Sequence, residues 1–207
     1  MAAAPSKSSS GSAAGITPRL LRLMREAMWL ASLALGVCLA LALLTHEVGD
    51  PGWSRAASGG ALQNGAGLVG AWLSDILYYI FGRSALWLLA AVAIGLVRSY
   101  GLLMRDRQVD RLSAGVMLAG LLLLLVGSAA FEALRFQAFA GGLPAGAGGA
   151  LGSTLAGLSA GLLGITGATL LLLVLSMAGL SLLSGISWLE LAEHTGAAAE
   201  PEQLARA

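Results

Sequence analysis

The sequence predicts an all-α, polytopic membrane protein with about four transmembrane helices and short surface helices on its outer, periplasmic side. Three observations carry this reading. Apolar residues make up 57% of the 207 positions and charged residues 11%, against about 25% charged in a soluble domain. The mean hydropathy of +0.81 means more apolar surface than a water-soluble fold of this length can hide, so the bilayer is the main solvent. The charges also cluster between long uncharged runs.

The elements follow in order. Positions 1–18 are rich in Ala, Ser and Gly and read as a disordered cytoplasmic tail. Arg19, Arg22 and Arg25 then precede an uncharged run from Ala27 to Thr45, about 28 Å of helix and the first span. Ala40-Leu41-Ala42 mimics a signal-peptide cleavage site, but the run exceeds the ~7–15 apolar residues of such a peptide. A loop from His46 to Gln63 holds Asp50-Pro51-Gly52-Trp53, which fits a type II turn and places Trp53 at the membrane–water interface.

The stretch from Gly65 to Tyr100 is apolar yet carries Asp75 and Arg83. It reads as one long or broken helix. Val69 to Phe81 lie at the outer interface, anchored by Trp72, Tyr78 and Tyr79, and the remainder crosses the bilayer toward Arg98. A polar connection from Arg105 to Arg111 leads to a third span, Leu112 to Phe131, closed by Glu132 and Arg135. The uncharged stretch that follows opens with a Gly-rich segment, 141–149, a poor helix former. We expect a loop there, a short surface helix near Ala150 to Leu163, and a fourth span from Ile165 to Leu183, with Trp188 at the exit. A fifth span within Phe136 to Leu163 is the alternative. The expected division is a tail over 1–18, a membrane domain over 19–190, and a cytoplasmic tail or the start of a linker over 191–207.

Lys7, Arg19, Arg22 and Arg25 precede the first span, and Arg98, Arg105, Arg107 and Arg111 lie between the second and third. The other two connections hold only Arg55 and Arg135. The positive-inside rule therefore puts the N-terminus and the middle connection in the cytoplasm, and an even number of spans returns the C-terminus there.

A search for chemistry excludes more than it finds. The only lysine, Lys7, is preceded by Ser6 rather than by a Gly-rich turn, so no phosphate-binding loop is present and the chain reads as a non-enzyme. Cys38 is the only cysteine, and His46 and His194 lie far apart, so no metal or cofactor site is expected. A net charge of +1 gives no sign of a nucleic-acid surface. Asp75 and Arg83 invite the reading of an ion or proton pathway. They lie eight positions apart, about 12 Å along a helix and off a shared face, and we read them as interfacial. Small residues recur every fourth position at Ser32, Gly36 and Ala40, at Ala91, Gly95 and Ser99, and at Gly157 and Gly161, and such stripes let helices approach closely.

Asp50-Pro51-Gly52-Trp53-Ser54 is followed by Asn64-Gly65-Ala66-Gly67, by Gly70-Ala71-Trp72-Leu73-Ser74-Asp75, and by Phe81-Gly82. Gly148-Gly149-Ala150-Leu151-Gly152 and Ser184-Gly185-Ile186-Ser187-Trp188 come late. This order resembles the N-terminal four-helix membrane domain of FtsK/SpoIIIE-type bacterial DNA translocases, from about Leu20 to Gly196. The resemblance implies an inner-membrane anchor that tethers a hexameric motor at the division septum and contacts septal membrane proteins, in cell division and chromosome partition. Its implied partners are membrane lipids, septal division proteins, and further copies brought together by a motor that this sequence lacks, with no direct contact to nucleic acid. We take Asp50, Pro51, Trp53, Trp72 and Asp75 as candidate partner contacts, and Ser32, Gly36 and Ala40 as candidate helix-packing residues. A small transporter or channel subunit, which needs polar groups through the bilayer centre, and an unrelated membrane scaffold are the rival readings.

Overall fold

Each long uncharged run becomes helix, and the glycines decide where helices break. The computed structural model describes residues 18–55, 60–104 and 111–186. It contains α1 (Pro18–Leu44), α2 (Gly67–Phe81), α3 (Trp87–Met104), α4 (Arg111–Arg135) and α5 (Gly149–Ser184). Four stretches are long and apolar enough to cross a membrane: Arg19–Leu44, Gly67–Met104, Arg111–Arg135 and Gly149–Ser184. Both tails and most of the 105–111 connection, with Lys7, Trp188 and His194, lie outside the described residues.

The second stretch is broken, not continuous. A 3-10 turn, Gly82–Leu86, separates α2 from α3. Gly82 has φ +60°, and a Cβ there would strike the Ala147 carbonyl and the Gly149 nitrogen. The next residue, Arg83, donates its backbone N–H to Ala147 O at 2.8 Å. Position 82 thus needs glycine twice, for its left-handed backbone and for the close approach. The last stretch is kinked at Gly164, whose φ 69° and ψ 169° are open essentially to glycine alone. This divides α5 into a leading segment, 149–163, and a final segment, 165–184. The expected surface helix and fourth span meet at that kink, and no fifth span is present among the described residues.

α4 and the final segment of α5 pack as an antiparallel pair. Arg135 Nε donates to Thr169 Oγ1 at 2.9 Å near one end. Farther along, a Cβ on Gly127 would meet Ser176, and at the far end one on Gly120 would meet the backbone of Leu182 and Leu183. Gly179 answers from α5, its missing Cβ lying against the Leu124 backbone. Gly152 in the leading segment of α5, and Gly148 just before it, sit on the Ala129 carbonyl. Such contacts, backbone against backbone, are the means by which helices associate in lipid, where no hydrophobic force drives them together.

α1 and α3 form the second pair. Trp29 Nε1 donates to Leu96 O at 3.2 Å, its ring lies 5.5 Å from that of Tyr100, and a Cβ on Gly36 would meet Val92. Gly36 therefore faces its own chain, while Ser32 is exposed and returns its hydroxyl to Met28 O. Ala40 is half-buried. Gly95, Gly157 and Gly161 face open space. The two pairs are tied at one end by Arg98, whose Nη2 donates to Ser184 O at 2.7 Å. At the other end α2 and the loops join them.

Candidate functional site

The loop after α1 and the short helix α2 are assembled from what α1 leaves unfinished. A helix ends with backbone carbonyls that lack an intrahelical donor, and in low dielectric each needs a partner. Leu41 O accepts from Thr45 N at 3.0 Å and Thr45 Oγ1 at 2.6 Å. Ala42 O accepts from Asn64 Nδ2 at 2.9 Å, and Leu43 O from the Tyr78 hydroxyl at 2.8 Å. Thr45 Oγ1 accepts in turn from Gly65 N at 2.7 Å. The loop and α2 are thereby stitched to the end of α1.

Two carboxylates organise the loop from inside. Asp50 accepts the backbone N–H groups of Gln63 and Asn64, both at 2.8 Å. Asp75 accepts Ser54 N at 2.6 Å and Ser54 Oγ at 2.9 Å, with Arg55 Nε 3.6 Å away. Both are buried, Asp50 at 5% and Asp75 at 2% exposure. As candidate partner contacts they are therefore corrected: their lone pairs are spent on their own loop, and neither presents a surface. Asp75 lies neither free at the interface nor along an ion path, and its partner is Arg55, not Arg83. The expected type II turn is corrected too. Gly52 has no positive φ. Its glycine is required because a Cβ would sit 2.5 Å from Asp75 Oδ2.

Helix α2 is inside-out by the standard of a soluble protein. Its buried residues are Gly70, Ala71, Ser74, Asp75 and Tyr78, spaced by three or four positions and carrying its polar groups. Leu68, Val69, Trp72 and Leu73 are exposed. Water would favour the reverse, whereas hydrocarbon favours polar groups bonded inside and apolar ones outside. Ser74 Oγ is in hydrogen-bond contact with Ala71 O at 3.1 Å and with His46 Nδ1 at 2.9 Å. The His46 ring rests 4.9 Å from Tyr78, and its Nε2 is buried without a hydrogen-bond partner. Burial holds the imidazole below its ordinary range, against the opposing pull of the Asp75, Asp50 and Glu47 carboxylates.

The structure brings the loop after α1 and the loop after α4 to this same end. Leu143 packs on the cluster of Leu43, Tyr78 and Ala85, and a Cβ on Gly142 would meet Val48. Of the expected contact residues, Trp53 and Trp72 keep exposed side chains, at 57% and 45%. Pro51 is half-buried. Trp53 is propped edge-on against Tyr79, with ring centroids 5.1 Å apart. Sequence reasoning missed Asn64, His46 and Gly52 as organisers. It also missed Gly120 and Gly127 in α4, whose seven-residue spacing marks one helix face.

The comparisons with known proteins agree with this architecture. The family model described as the 4TM region of DNA translocase FtsK/SpoIIIE matches residues 21–196. The DNA translocase FtsK 2 of Ralstonia nicotianae is 37% identical over 192 residues, covering 90% of this chain and 25% of that protein. DNA translocase FtsK 1 of Neisseria meningitidis serogroup B is 34% identical over 183 residues, 87% of this chain and 22% of its own length. DNA translocase FtsK of Vibrio parahaemolyticus is 36% identical over 176 residues, 84% and 16%. The chain thus spans a quarter or less of the length of these relatives. No solved structure matches. Four apolar helical stretches, their glycine-determined breaks and the match over 21–196 together make this chain a multi-pass inner-membrane protein of the FtsK/SpoIIIE 4TM-region family.

Proposed function

We propose that this chain is the membrane anchor of a DNA translocase acting at the division septum. In this reading it tethers a cytoplasmic motor and contacts septal membrane proteins through its outer loops. The observation that carries the reading is the family match over residues 21–196, which aligns the chain with the membrane region alone of much longer translocases. The chain supplies anchorage rather than catalysis, in keeping with the lack of a phosphate-binding loop in its sequence. The Arg distribution supports cytoplasmic termini, a membrane domain over 19–190, and a tail or linker from 191 onward.

Trp53 and Trp72 are the proposed contacts, since exposed aromatic side chains on a braced scaffold are favoured anchors. Self-association of this region is proposed to be weak. Copies held together by a hexameric motor already have a high local concentration.

Septal imaging of the tagged chain in dividing cells tests the proposal. A band at the septum supports it, and even distribution around the membrane refutes it. Trp53→Ala and Trp72→Ala, inserted normally, are expected to weaken septal crosslinks. Unchanged crosslinking for both leaves the tryptophans as lipid anchors only. For orientation, Leu62→Cys on a Cys38→Ser background should react with an impermeant reagent from the periplasm. Labelling only after the inner membrane is opened overturns the assignment.

A further inference from the structure

A cavity of about 520 Å³ lies where the 3-10 turn, α4 and the final segment of α5 meet, within the ~300–1,000 Å³ typical of ligand sites. Its walls are almost wholly apolar. Trp87, Leu124, Phe131, Leu173 and Leu180 line its length. Ser128 and Ser176 also face it, but each hydroxyl donates into its own helix, to Leu124 O at 2.6 Å and to Leu172 O at 2.7 Å. The ionic groups lining the cavity are Arg83 and Glu132. Arg83 and Glu132 form no ion pair with each other, in contrast to Arg55 and Asp75. Glu132 Oε2 is buried without a hydrogen-bond partner.

The ionic groups of the cavity thus stand toward the C-terminal end of α4, with Phe136 and Phe139 beyond them. Glu132 stands three residues from the end of α4, about 4.5 Å along the axis. Leu124 lies eight residues farther in, about 12 Å deeper. An ion or polar solute finds no bonding group along the apolar length. A chain molecule with its charged end at the surface finds both halves of what it needs.

We propose that this cavity binds one acyl chain and the headgroup of a phospholipid carrying a primary ammonium, as in phosphatidylethanolamine. The phosphate takes the Arg83 guanidinium, which is built for forked recognition of phosphate oxygens. The ammonium donates to Glu132 Oε2, and the chain lies along Leu124, Phe131, Leu173 and Leu180. Charge complementarity selects the lipid. Phosphatidylglycerol carries no cation and sets a lone phosphate beside the Glu132 carboxylate. Phosphatidylcholine is charged correctly, but its quaternary nitrogen has no N–H to donate.

Native mass spectrometry of the full chain, released from bilayers with equal amounts of the three lipids, tests this. One phosphatidylethanolamine is expected to be retained about tenfold over the other two, the worth of one charge-assisted hydrogen bond. Glu132→Gln, close in shape, is expected to narrow the preference for phosphatidylethanolamine over phosphatidylcholine, because the amide oxygen still accepts but carries no charge. Arg83→Gln is expected to weaken all three. Leu173→Trp fills the apolar length and changes no charge, so it is expected to abolish retention while the helical circular dichroism is kept. Equal retention of the three lipids by the parent chain, or a preference unmoved by Glu132→Gln, overturns the proposal. A second copy of the chain in place of lipid overturns it as well.

Discussion

Ser54 gives both of its donors, the backbone N–H and the hydroxyl, to the two carboxylate oxygens of Asp75, 21 positions later. One buried side chain on α2 thereby fixes the turn that carries Trp53. Asp75→Ala removes both acceptors and strands Ser54 and Arg55. We expect a loss of about 2–3 kcal/mol and faster proteolysis within 46–66, read by limited digestion in proteoliposomes. Ser54→Ala, which keeps the backbone bond, is expected to cost about 1 kcal/mol. Equal stability of the Asp75 variant and the parent would show that the loop is held by other means.

Tyr78→Phe leaves the Leu43 carbonyl, at the buried end of α1, without its donor. A loss of about 1–2 kcal/mol is expected, measured as a lower thermal midpoint in lipid–detergent micelles. A midpoint unchanged within error contradicts this assignment.

Two glycines on α5 are expected to behave oppositely. A Cβ at Gly152 would strike the Ala129 carbonyl, whereas one at Gly157 meets nothing. Gly152→Leu is expected to cost about 3 kcal/mol or more through overpacking. Gly157→Ala is expected to stabilise by up to about 1 kcal/mol through helix propensity. Thermal melts of the two variants against the parent decide it, and similar shifts for both would contradict the packing described above.

Stability is expected to fall on acidification through His46. The imidazole is held low chiefly by burial, helped by the Arg55 charge and opposed by the Asp75, Asp50 and Glu47 carboxylates. Unfolded, the ring takes its proton near pH 6.5, and folded only at lower pH. The unfolded chain thus binds more protons below about pH 6.5, so stability decreases as pH drops through that window and is complete above it. His46→Gln should flatten the difference in thermal midpoint between about pH 5 and pH 7.5. An unchanged difference assigns the effect to another group.

Gly36→Leu is expected to lower the stability of the single chain, because the added side chain meets Val92 of α3. Loss of self-association in that variant would report on the fold. Ser32→Leu, on an exposed position of the same stripe, adds its side chain over the open groove between α1 and α3. Energy transfer between labelled chains in lipid is expected to show weak association, reduced by Ser32→Leu if the stripe is an interface. A signal unchanged by Ser32→Leu places any interface elsewhere.

The sequence by itself determined the spans and most of their breaks. Hydrocarbon thickness and the cost of burying charge act on each stretch locally. An uncharged run such as Leu112 to Phe131 therefore declares itself without reference to the rest of the chain. The Gly-rich segment at 141–149 declares a break in the same way. Only the tertiary structure decided what Asp50 and Asp75 do, because their partners lie 13 to 21 positions away in the sequence. The glycine stripes show the same divide. Gly157 and Gly161 have clean four-residue spacing and touch nothing, while Gly120, Gly127 and Gly179 carry the α4–α5 contact. Spacing places residues on a common helix face, but which face meets a neighbour depends on the rotation of two helices about their axes, and that is set only when their backbones meet.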